Sequence, residues 1–505
     1  MSSILRTSKL FRRPLLVVLI GLMLFGIAQL LGYFNRGADR KSMLADLSGF
    51  TTDSPAVDFN FEADVINLDD TELLKQISKQ YSQALQNLSL AYSAKDTTLI
   101  ADGFTSAQRS NLNELITQST NSNSYQTQFI AHHLKFDFLS ADRKIAAFTD
   151  ENAMRIKGKI RSDGDFIQES VEMVTTRVIV FLEDGFWRIA HWEQLQVEPQ
   201  LLSKTVNPQD IQKLSGVNYY PKDYSWDTFN PELSLEVIRK DFQQIKETGF
   251  NAIRLFIDYH DFGAAYPKSE KLARLKSTLD LAEQEDLKVV LTLFDFYGDY
   301  RLRSWPAVAK HLDKLLDNIG QHPAIHSWDI KNEPDLDFDS RGKQRTLAWL
   351  QFVANYMREK GTVQHITIGW STAEAASNLA EVVDYVSFHY YKGPQDFQQA
   401  LDQLKDLTQK EIFVQEFGLS TNRGLWAPFG NSEKDQANYY GQMLDQLKAN
   451  EVSGFCWNFH DFSKVPKKIR GWKPWIKNKQ ANFGLLDSDG NKKAAYEIVK
   501  KKLGR

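Results

Sequence analysis

The C-terminal part of the chain alternates short apolar segments with helical segments, and this rhythm limits the fold more than any other feature. Each stretch between the apolar segments carries one apolar stripe, such as the stripe formed by Leu235, Ile238 and Phe242. Eight segments have the length and composition of buried strands, namely 216–220, 252–258, 289–295, 325–332, 366–371, 385–391, 412–417 and 454–459. Residues 214–505 are therefore predicted to form an α/β domain, a closed (β/α)8 TIM barrel, after a linker at 199–213.

Polar side chains are concentrated where the predicted strands end. In a barrel of this kind the active site lies at the carboxyl ends of the strands, so these residues are candidates for function. Glu333 follows the fourth strand and Glu416 ends the seventh, which places two carboxylates across the barrel mouth from each other. The other candidates at strand ends are Arg254, Asp295, Asn332, His389, Tyr391 and Trp457.

Two facing carboxylates are the groups that cleavage of a glycosidic bond requires. One protonates the departing oxygen while the other supports positive charge at the anomeric carbon. When the carboxyl groups are only about 5 to 5.5 Å apart, no water fits between them, and the second carboxylate attacks directly with retention of configuration. Arg254 beside Glu416 would favour the ionised form of that carboxylate. The sequence predicts the pair but not its separation.

Residues 214 to 500 resemble clan A glycoside hydrolases, and most closely the family 5 endoglycanase type. The resemblance rests on Asn332-Glu333-Pro334, His389-x-Tyr391 and Glu416-Phe417-Gly418, with Arg254 on the second strand and Trp457 on the eighth. It implies that Glu333 is the acid/base and that Glu416 is the nucleophile.

The same resemblance implies supporting roles for the other residues. Asn332 would donate a hydrogen bond to the sugar 2-hydroxyl, and Arg254 would orient Glu416. Tyr391 would bond the nucleophile, His389 would shape the pocket, and Trp457 would form the floor of subsite −1.

The third strand departs from the family pattern. Many family 5 enzymes have a histidine near its end, where this chain has Asp295. Asp295 either binds a sugar hydroxyl or pairs with a structural partner, and the substrate therefore stays open.

The N-terminal region contains a candidate membrane anchor. Residues 14–35 carry no charge and are long enough to cross a hydrocarbon core of about 30 Å as a helix. Basic residues precede this segment without an acid, which favours a cytoplasmic N-terminus at 1–13. We expect an uncleaved signal anchor in the cytoplasmic membrane, with a cleaved signal peptide as the alternative. The catalytic domain would then lie on the extracytoplasmic side, periplasmic or extracellular, after a linker at 36–68.

Residues 69–198 predict a separate α+β domain. Apolar residues recur at helical spacing from Thr71, and a second helix is predicted at 105–118. Alternating segments at 125–138, 143–161, 172–182 and 185–196 then predict an antiparallel sheet. This order resembles the NTF2-like fold. His132, His133 and His191 either line a pocket of such a fold or are ordinary core and surface histidines.

Composition excludes several functional classes. The net charge of −3 gives no field for nucleic acid, and no nucleotide-binding or zinc-binding motif is present. We therefore expect no cofactor, no metal and no nucleic-acid partner. The single cysteine, Cys456, cannot form an intramolecular disulfide.

One segment after the last predicted strand is strongly basic. No acidic residue lies between its cations, and Trp472 and Trp475 are interleaved with them. The cations are Lys464, Lys467, Lys468, Arg470, Lys473, Lys477 and Lys479. The segment either attracts an acidic glycan, such as a uronic-acid polymer, or is a solvated basic face.

Together these features predict a membrane-anchored retaining glycoside hydrolase that cleaves a β-linked polysaccharide by endo attack. Its partners would be the polysaccharide substrate and proteins of polysaccharide synthesis or export, because the tether suggests processing of an exported or cell-surface glycan. Two alternatives stay open. One is a transglycosylase, and the other is a non-catalytic glycan-binding or scaffold subunit of an export complex.

Overall fold

A computed structural model describes residues 55–118, 124–160, 166–199, 211–423, 429–470 and 474–504. These residues form a five-stranded sheet unit followed by a closed barrel. The expected anchor at 14–35 and most of both linkers lie outside the described residues. Within the described ranges, none of the helices has the length and apolar character that a membrane span needs.

The sheet unit combines two helices with one short and four long strands. The elements are β1 (Ala56–Phe61), α1 (Thr71–Ala94), α2 (Ser106–Gln118), β2 (Ser124–Leu139), β3 (Ile145–Ile160), β4 (Phe166–Glu183) and β5 (Phe186–Pro199). The sheet order is β1-β2-β3-β4-β5, with β1 parallel to β2 and the remaining pairs antiparallel. The unit has the α+β character expected from the sequence, and its assignment as NTF2-like stays a prediction.

Strand β1 lies inside the segment that the sequence analysis assigned to the 36–68 linker. Its residues alternate, so that Val57, Phe59 and Phe61 pack on the core of the sheet unit while Asp58 is exposed. A single strand of this length alternates too few times to stand out from a linker. Its structure depends on pairing with β2, which the local sequence does not reveal.

Eight parallel strands close the barrel in the order β6 to β13 around its circumference. They are β6 (Ser215–Asn218), β7 (Ala252–Asp258), β8 (Lys288–Asp295), β9 (Ile325–Asn332), β10 (His365–Trp370), β11 (Val386–Tyr390), β12 (Ile412–Phe417) and β13 (Ser453–Cys456). The predicted (β/α)8 TIM barrel is confirmed, and each of the eight predicted strands overlaps an observed one.

Helices surround the barrel and follow its strands. They are α3 (Leu235–Glu247), α4 (Ser269–Gln284), α5 (Trp305–Ile319), α6 (Phe338–Arg341), α7 (Lys343–Glu359), α8 (Phe397–Lys405), α9 (Glu433–Ala449), α10 (Lys467–Arg470), α11 (Pro474–Ala481) and α12 (Ala494–Leu503). Helix α3 shows how local sequence sets their ends. Ser234 accepts a hydrogen bond from the backbone N–H of Glu236 at its start, and Gly249 adopts φ +103° just beyond its end.

The sheet is covered on both faces. Helix α1 packs Leu74, Ile77 and Tyr81 into the core of the sheet unit on one face. On the other face, strands β2 and β4 contact α5 and α7 of the barrel, and the fully buried Ile130 and Ile156 join the barrel core. The sheet unit is therefore packed against the barrel through apolar side chains.

This packing predicts the effect of shortening Ile130, which is 0% exposed. We expect Ile130→Ala to lower the free energy of unfolding by about 2–5 kcal/mol, because it removes buried methylene groups and leaves a cavity. The measurement is urea denaturation of the whole chain. Leu195→Ala is the matched control, since Leu195 lies in the same sheet and is 58% exposed. Equal effects of the two changes would contradict packing of the sheet against the barrel.

Candidate active site

A buried arginine connects four strands at the mouth of the barrel. Arg254, on β7, is 0% exposed and donates to Asp329 Oδ2 through Nε at 3.2 Å and Nη2 at 2.7 Å. Its Nη1 donates to Asn218 Oδ1 on β6 at 3.1 Å and to Glu416 Oε1 on β12 at 2.6 Å. Its Nη2 also donates to Asn332 Oδ1 on β9 at 2.9 Å. Every nitrogen of this guanidinium therefore has a partner, as burial of a charge requires.

Electrostatics hold the guanidinium in its charged form. Burial alone would lower the pKa of Arg254, but the carboxylates of Asp329 and Glu416 outweigh burial and raise that pKa above its usual value. Asp329 is itself enclosed, and it also accepts hydrogen bonds from Thr292 Oγ1 at 2.7 Å and from the backbone N–H of Gly369 at 2.8 Å. The network is thus a fully paired ionic cluster in the barrel interior.

Glu416 is oriented through both of its oxygens. Arg254 occupies Oε1, and the Tyr391 hydroxyl donates to Oε2 at 2.7 Å. Tyr391 as a whole residue is 44% exposed, but its hydroxyl lies against the carboxylate. Burial of that hydroxyl and the adjacent Glu416 raise the pKa of Tyr391 well above its ordinary value, so the phenol keeps its proton and donates.

Glu333 lies on a tight turn immediately after β9. Its backbone is left-handed, with φ 46° and ψ 54°, and its N–H donates to the carbonyl of Gly369 at 2.6 Å. A left-handed conformation is costly for a residue with a side chain and persists only where the surroundings hold it. The following turn (Pro334–Asp337) supplies that support, since Asp335 accepts the Ser371 N–H at 2.9 Å.

His389, on β11, lies between the two glutamates. Its Nδ1 is 2.9 Å from Glu333 Oε1 and 3.4 Å from Glu416 Oε2. One carboxylate oxygen of Glu333, one of Glu416 and one ring nitrogen of His389 all lie within 4.8 Å of one another. These three donors could hold a metal ion, although both Glu416 oxygens already accept hydrogen bonds from Arg254 and Tyr391.

Two further candidates shape the same site. The amide oxygen of Asn332 faces Arg254, which turns the amide NH2 group the opposite way. Trp457 follows β13, is 7% exposed, and packs edge-on against Phe256 and Tyr220 with ring centroids 6.0 and 6.2 Å away. The structure therefore brings Arg254, Asn332, Glu333, His389, Tyr391, Glu416 and Trp457 together at the barrel mouth.

Asp295 is a buried acid at the end of the third barrel strand. It ends β8, is 3% exposed, and accepts the backbone N–H of Phe296 at 3.2 Å. Burial raises the pKa of Tyr220 well above its usual value, and the nearby Asp295 carboxylate adds to that rise. Asp295 thus lies on the Tyr220 side of the mouth.

The three histidines of the sheet unit pair with acids of the same unit. His132 is fully buried, with Nδ1 2.7 Å from Asp150 Oδ2. His133 pairs with Asp58 at 2.6 Å on the surface, and the exposed His191 lies 3.6 Å from Glu193. These contacts fit ordinary core and surface histidines.

Several residues that support the site are not among those predicted from the sequence. Asn218 and Asp329 hold Arg254, and the fully buried Lys331 lies 3.7 Å from Asp337 across the turn that carries Glu333. A polar residue at every second position of an apolar strand, as Ser327 and Asp329 are in β9, was the signal that could have identified Asp329.

The barrel also matches a known family. Residues 213–463 match the model described as cellulase (glycosyl hydrolase family 5). The chain therefore contains a glycosyl hydrolase family 5 domain, which extends over most of the barrel.

Curated relatives and solved structures show more distant similarity. β-Glucuronidase of Chlorocebus aethiops is 24% identical over 261 residues, and that of Homo sapiens is 25% identical over 261 residues. Each match covers 48% of this chain and only 38% of the relative. An exo-β-1,4-mannosidase from Opitutaceae bacterium strain TAV5 matches with a TM-score of 0.48 and 18% identity, covering 58% of this chain and 59% of that one. β-D-Glucuronidase of Dictyoglomus thermophilum matches with a TM-score of 0.45 and 16% identity, covering 75% and 68%.

The buried ionic cluster predicts a large cost for removing its cation. Arg254→Met leaves Asp329 and Glu416 enclosed without their counter-ion, and we expect the free energy of unfolding to fall by about 3–5 kcal/mol at neutral pH. Arg423→Met is the matched control, because Arg423 is 59% exposed and lies 3.5 Å from Asp435. Its loss should cost no more than about 1 kcal/mol.

The pH dependence of the same variant tests the cause. An enclosed negative charge without its counter-ion is unfavourable, so loss of the Arg254 cation should cost less at a pH where carboxyl groups are neutral. The difference from the wild type should therefore shrink as the pH approaches about 4, where ordinary carboxyl groups protonate. A difference that is constant over this range would show that buried charge is not the cause.

Proposed function

We propose that this chain is a retaining glycoside hydrolase that cleaves a β-linked polysaccharide by double displacement. The observation that carries the proposal is the proximity of Glu333 and Glu416, since one carboxylate oxygen of each lies within 4.8 Å of the other. Retaining enzymes hold their carboxyl groups about 5–5.5 Å apart, whereas inverting enzymes need about 6.5–9.5 Å to admit a water. The short separation favours direct attack by one carboxylate.

The hydrogen bonds of the two glutamates suggest their roles. Glu416 accepts hydrogen bonds from the Arg254 cation and from Tyr391, which aim its carboxylate at one position. In the first step a Glu416 oxygen bonds to the anomeric carbon while Glu333 gives its proton to the departing oxygen. In the second step Glu333 takes a proton from water, and the resulting hydroxide displaces Glu416 from the sugar.

Neighbouring side chains would bind the sugar. The NH2 group of Asn332, turned away from Arg254, is proposed to donate to the 2-hydroxyl of the reacting sugar. Trp457 would form the floor of subsite −1, held by its packing against Tyr220 and Phe256. His389, between both glutamates, would fix their mutual orientation.

The substrate class is proposed from the comparisons. The curated relatives are named β-glucuronidases, and the family model is described as cellulase. We propose endo cleavage of a β-linked polysaccharide made or exported at the membrane, with synthesis or export proteins as partners. Products that are all short oligosaccharides or monosaccharides from the first minutes of digestion would exclude endo attack.

Replacing the two glutamates separately tests the mechanism. Glu416→Gln should reduce turnover of β-linked glucans, mannans and uronic-acid polymers to background, because the nucleophile is lost. A 2-deoxy-2-fluoro glycoside with a reactive leaving group should label Glu416 in the wild type, as identified by mass spectrometry of the labelled peptide. Binding of a polymer without any turnover in the wild type would instead favour a scaffold subunit.

The acid/base role of Glu333 gives a different signature. Glu333→Ala should lose about 10²–10⁴-fold in turnover of substrates with poor leaving groups. It should lose much less with activated aryl glycosides, which leave without protonation. Azide should restore activity in this variant and give the β-glycosyl azide. Recovery of the α-azide would contradict retention, and formation of longer oligosaccharides by the wild type would indicate transglycosylation.

Membrane attachment is a further part of the proposal. The apolar segment at 14–35 would tether the barrel outside the cytoplasmic membrane. We expect the full chain to stay in the membrane fraction after an alkaline carbonate wash, and a chain that begins at residue 55 to be released. The shortened chain has to start no later than 55, because β1 begins at Ala56. Release of the full chain by the same wash would contradict the tether.

A further inference from the structure

The loop that follows β13 forms a wall on one side of the barrel mouth. This mouth wall, residues 462–469, is attached to the loop after β6 by hydrogen bonds from Ser463 Oγ to the Lys222 carbonyl at 2.9 Å and from Ser225 Oγ to the Lys464 carbonyl at 2.5 Å. The apolar side chains Phe462, Val465 and Ile469 are buried in the same cluster as Trp457. The wall therefore packs directly onto the aromatic floor of the site.

Lys468 of the mouth wall is fixed over the ends of the neighbouring strands. Its ammonium group forms an ion pair with Asp258 at the end of β7 and lies 4.5 Å from the ring centroid of Phe296, just beyond β8. Asp258 is itself held by the backbone N–H groups of His260 and Asp261, each 3.0 Å from its Oδ1. The cation is thus held in place before any ligand arrives, which reduces the cost of binding one.

The ammonium group keeps the capacity to bind an anion. A lysine has three donor hydrogens, of which Asp258 accepts one, and the side chain of Lys468 is 38% exposed. Lys464 and Lys467 are exposed on the same wall, and residues 462–470 contain no acid. An ordinary solvated basic face needs no fixed lysine, whereas Lys468 is positioned by a carboxylate and an aromatic ring.

The position of Lys468 places it beside the reacting sugar rather than on it. Its partner Asp258 lies four residues beyond Arg254 on β7, a distance of about 13 Å along an extended strand. Arg254 contacts the proposed nucleophile directly. An anion bound by Lys468 would therefore belong to a neighbouring part of a bound glycan.

We propose that Lys468 binds an anionic substituent of the glycan, a carboxylate or a sulfate ester, and that the substrate is an acidic polysaccharide. The inference rests on the proposed glycosidase function and specifies its substrate class. Lys468 supplies a charge-assisted hydrogen bond, and Lys464 and Lys467 add attraction that salt weakens.

The test compares matched substrates with the full chain. The probes are soluble β-1,3-glucan, β-1,4-glucan and β-1,4-mannan oligosaccharides, each as the neutral chain, the C6-oxidised uronate and the C6-sulfate. We expect kcat/KM for at least one anionic form to exceed that of its neutral parent about ten- to a hundredfold, the effect of one hydrogen bond to a charged group. Preference for the uronate or for the sulfate identifies the substituent.

Variants then assign the preference to Lys468. Lys468→Met should remove the preference for the anionic chain, and added salt should weaken the preference of the wild type but have little effect on the variant. Lys502→Met is the matched control, because Lys502 also pairs with an aspartate, Asp445, at 2.5 Å, but on the outer helix α12. The control should keep the preference of the wild type.

Each contrary result has a separate meaning. Wild-type cleavage of neutral chains as fast as anionic ones overturns the acidic substrate and leaves the glycosidase proposal intact. An equal loss on neutral and anionic chains in Lys468→Met assigns the lysine a structural role and overturns the inference. If the wild type cleaves none of the probes and no fluoro glycoside labels Glu416, the proposed function itself fails, and the inference fails with it.

Discussion

The structure of the site depends on one buried guanidinium. Arg254 has no exposed surface, and its contacts reach β6, β9 and β12 from β7. A charge this deep is tolerated only when its donors are matched, so the acceptors on those strands have to occupy fixed positions. Barrel closure and the position of Glu416 are therefore coupled, because the Arg254 side chain both balances the buried negative charge and orients the Glu416 carboxylate.

The space around that guanidinium constrains the neighbouring backbone. A Cβ atom on Gly369 would lie 2.7 Å from Gln415 Oε1, 3.0 Å from Arg254 Nη2 and 3.1 Å from Asp329 Oδ2. The absent side chain lets β10 approach the cluster closely, and the Gly369 N–H and carbonyl then bind Asp329 and Glu333 respectively. One glycine thus links the ionic cluster to the strained turn of the second glutamate.

Much of this arrangement could be predicted from the sequence, for physical reasons that also explain what could not. Strands and the apolar stripes of helices are local patterns. Spacing alone therefore predicted the eight strands of the barrel and placed Glu333 and Glu416 at strand ends. The partners of Arg254 did not, because Asn218 and Asp329 are separated from it by 36 and 75 residues.

The separation of the glutamates was equally beyond a local pattern. It depends on barrel diameter, on the left-handed backbone of Glu333 and on the Asp335 contact with Ser371, none of which has a distinctive spacing. The basic segment after β13 was visible in the sequence. The ion pair that holds Lys468 in place was not visible, since Lys468 and Asp258 are 210 residues apart in the sequence.

The way the sheet unit meets the barrel bears on access to the site. Helices of a (β/α)8 barrel run opposite to its strands, so the C-terminal end of α7 lies at the end of the barrel away from the mouth. Lys360, directly after α7, is close enough to Asp58 and His133 of the sheet unit to influence their pKa values. The sheet unit is thus attached near the opposite end of the barrel and at its side, through α5 and α7. Within the described residues the site is built by the barrel alone.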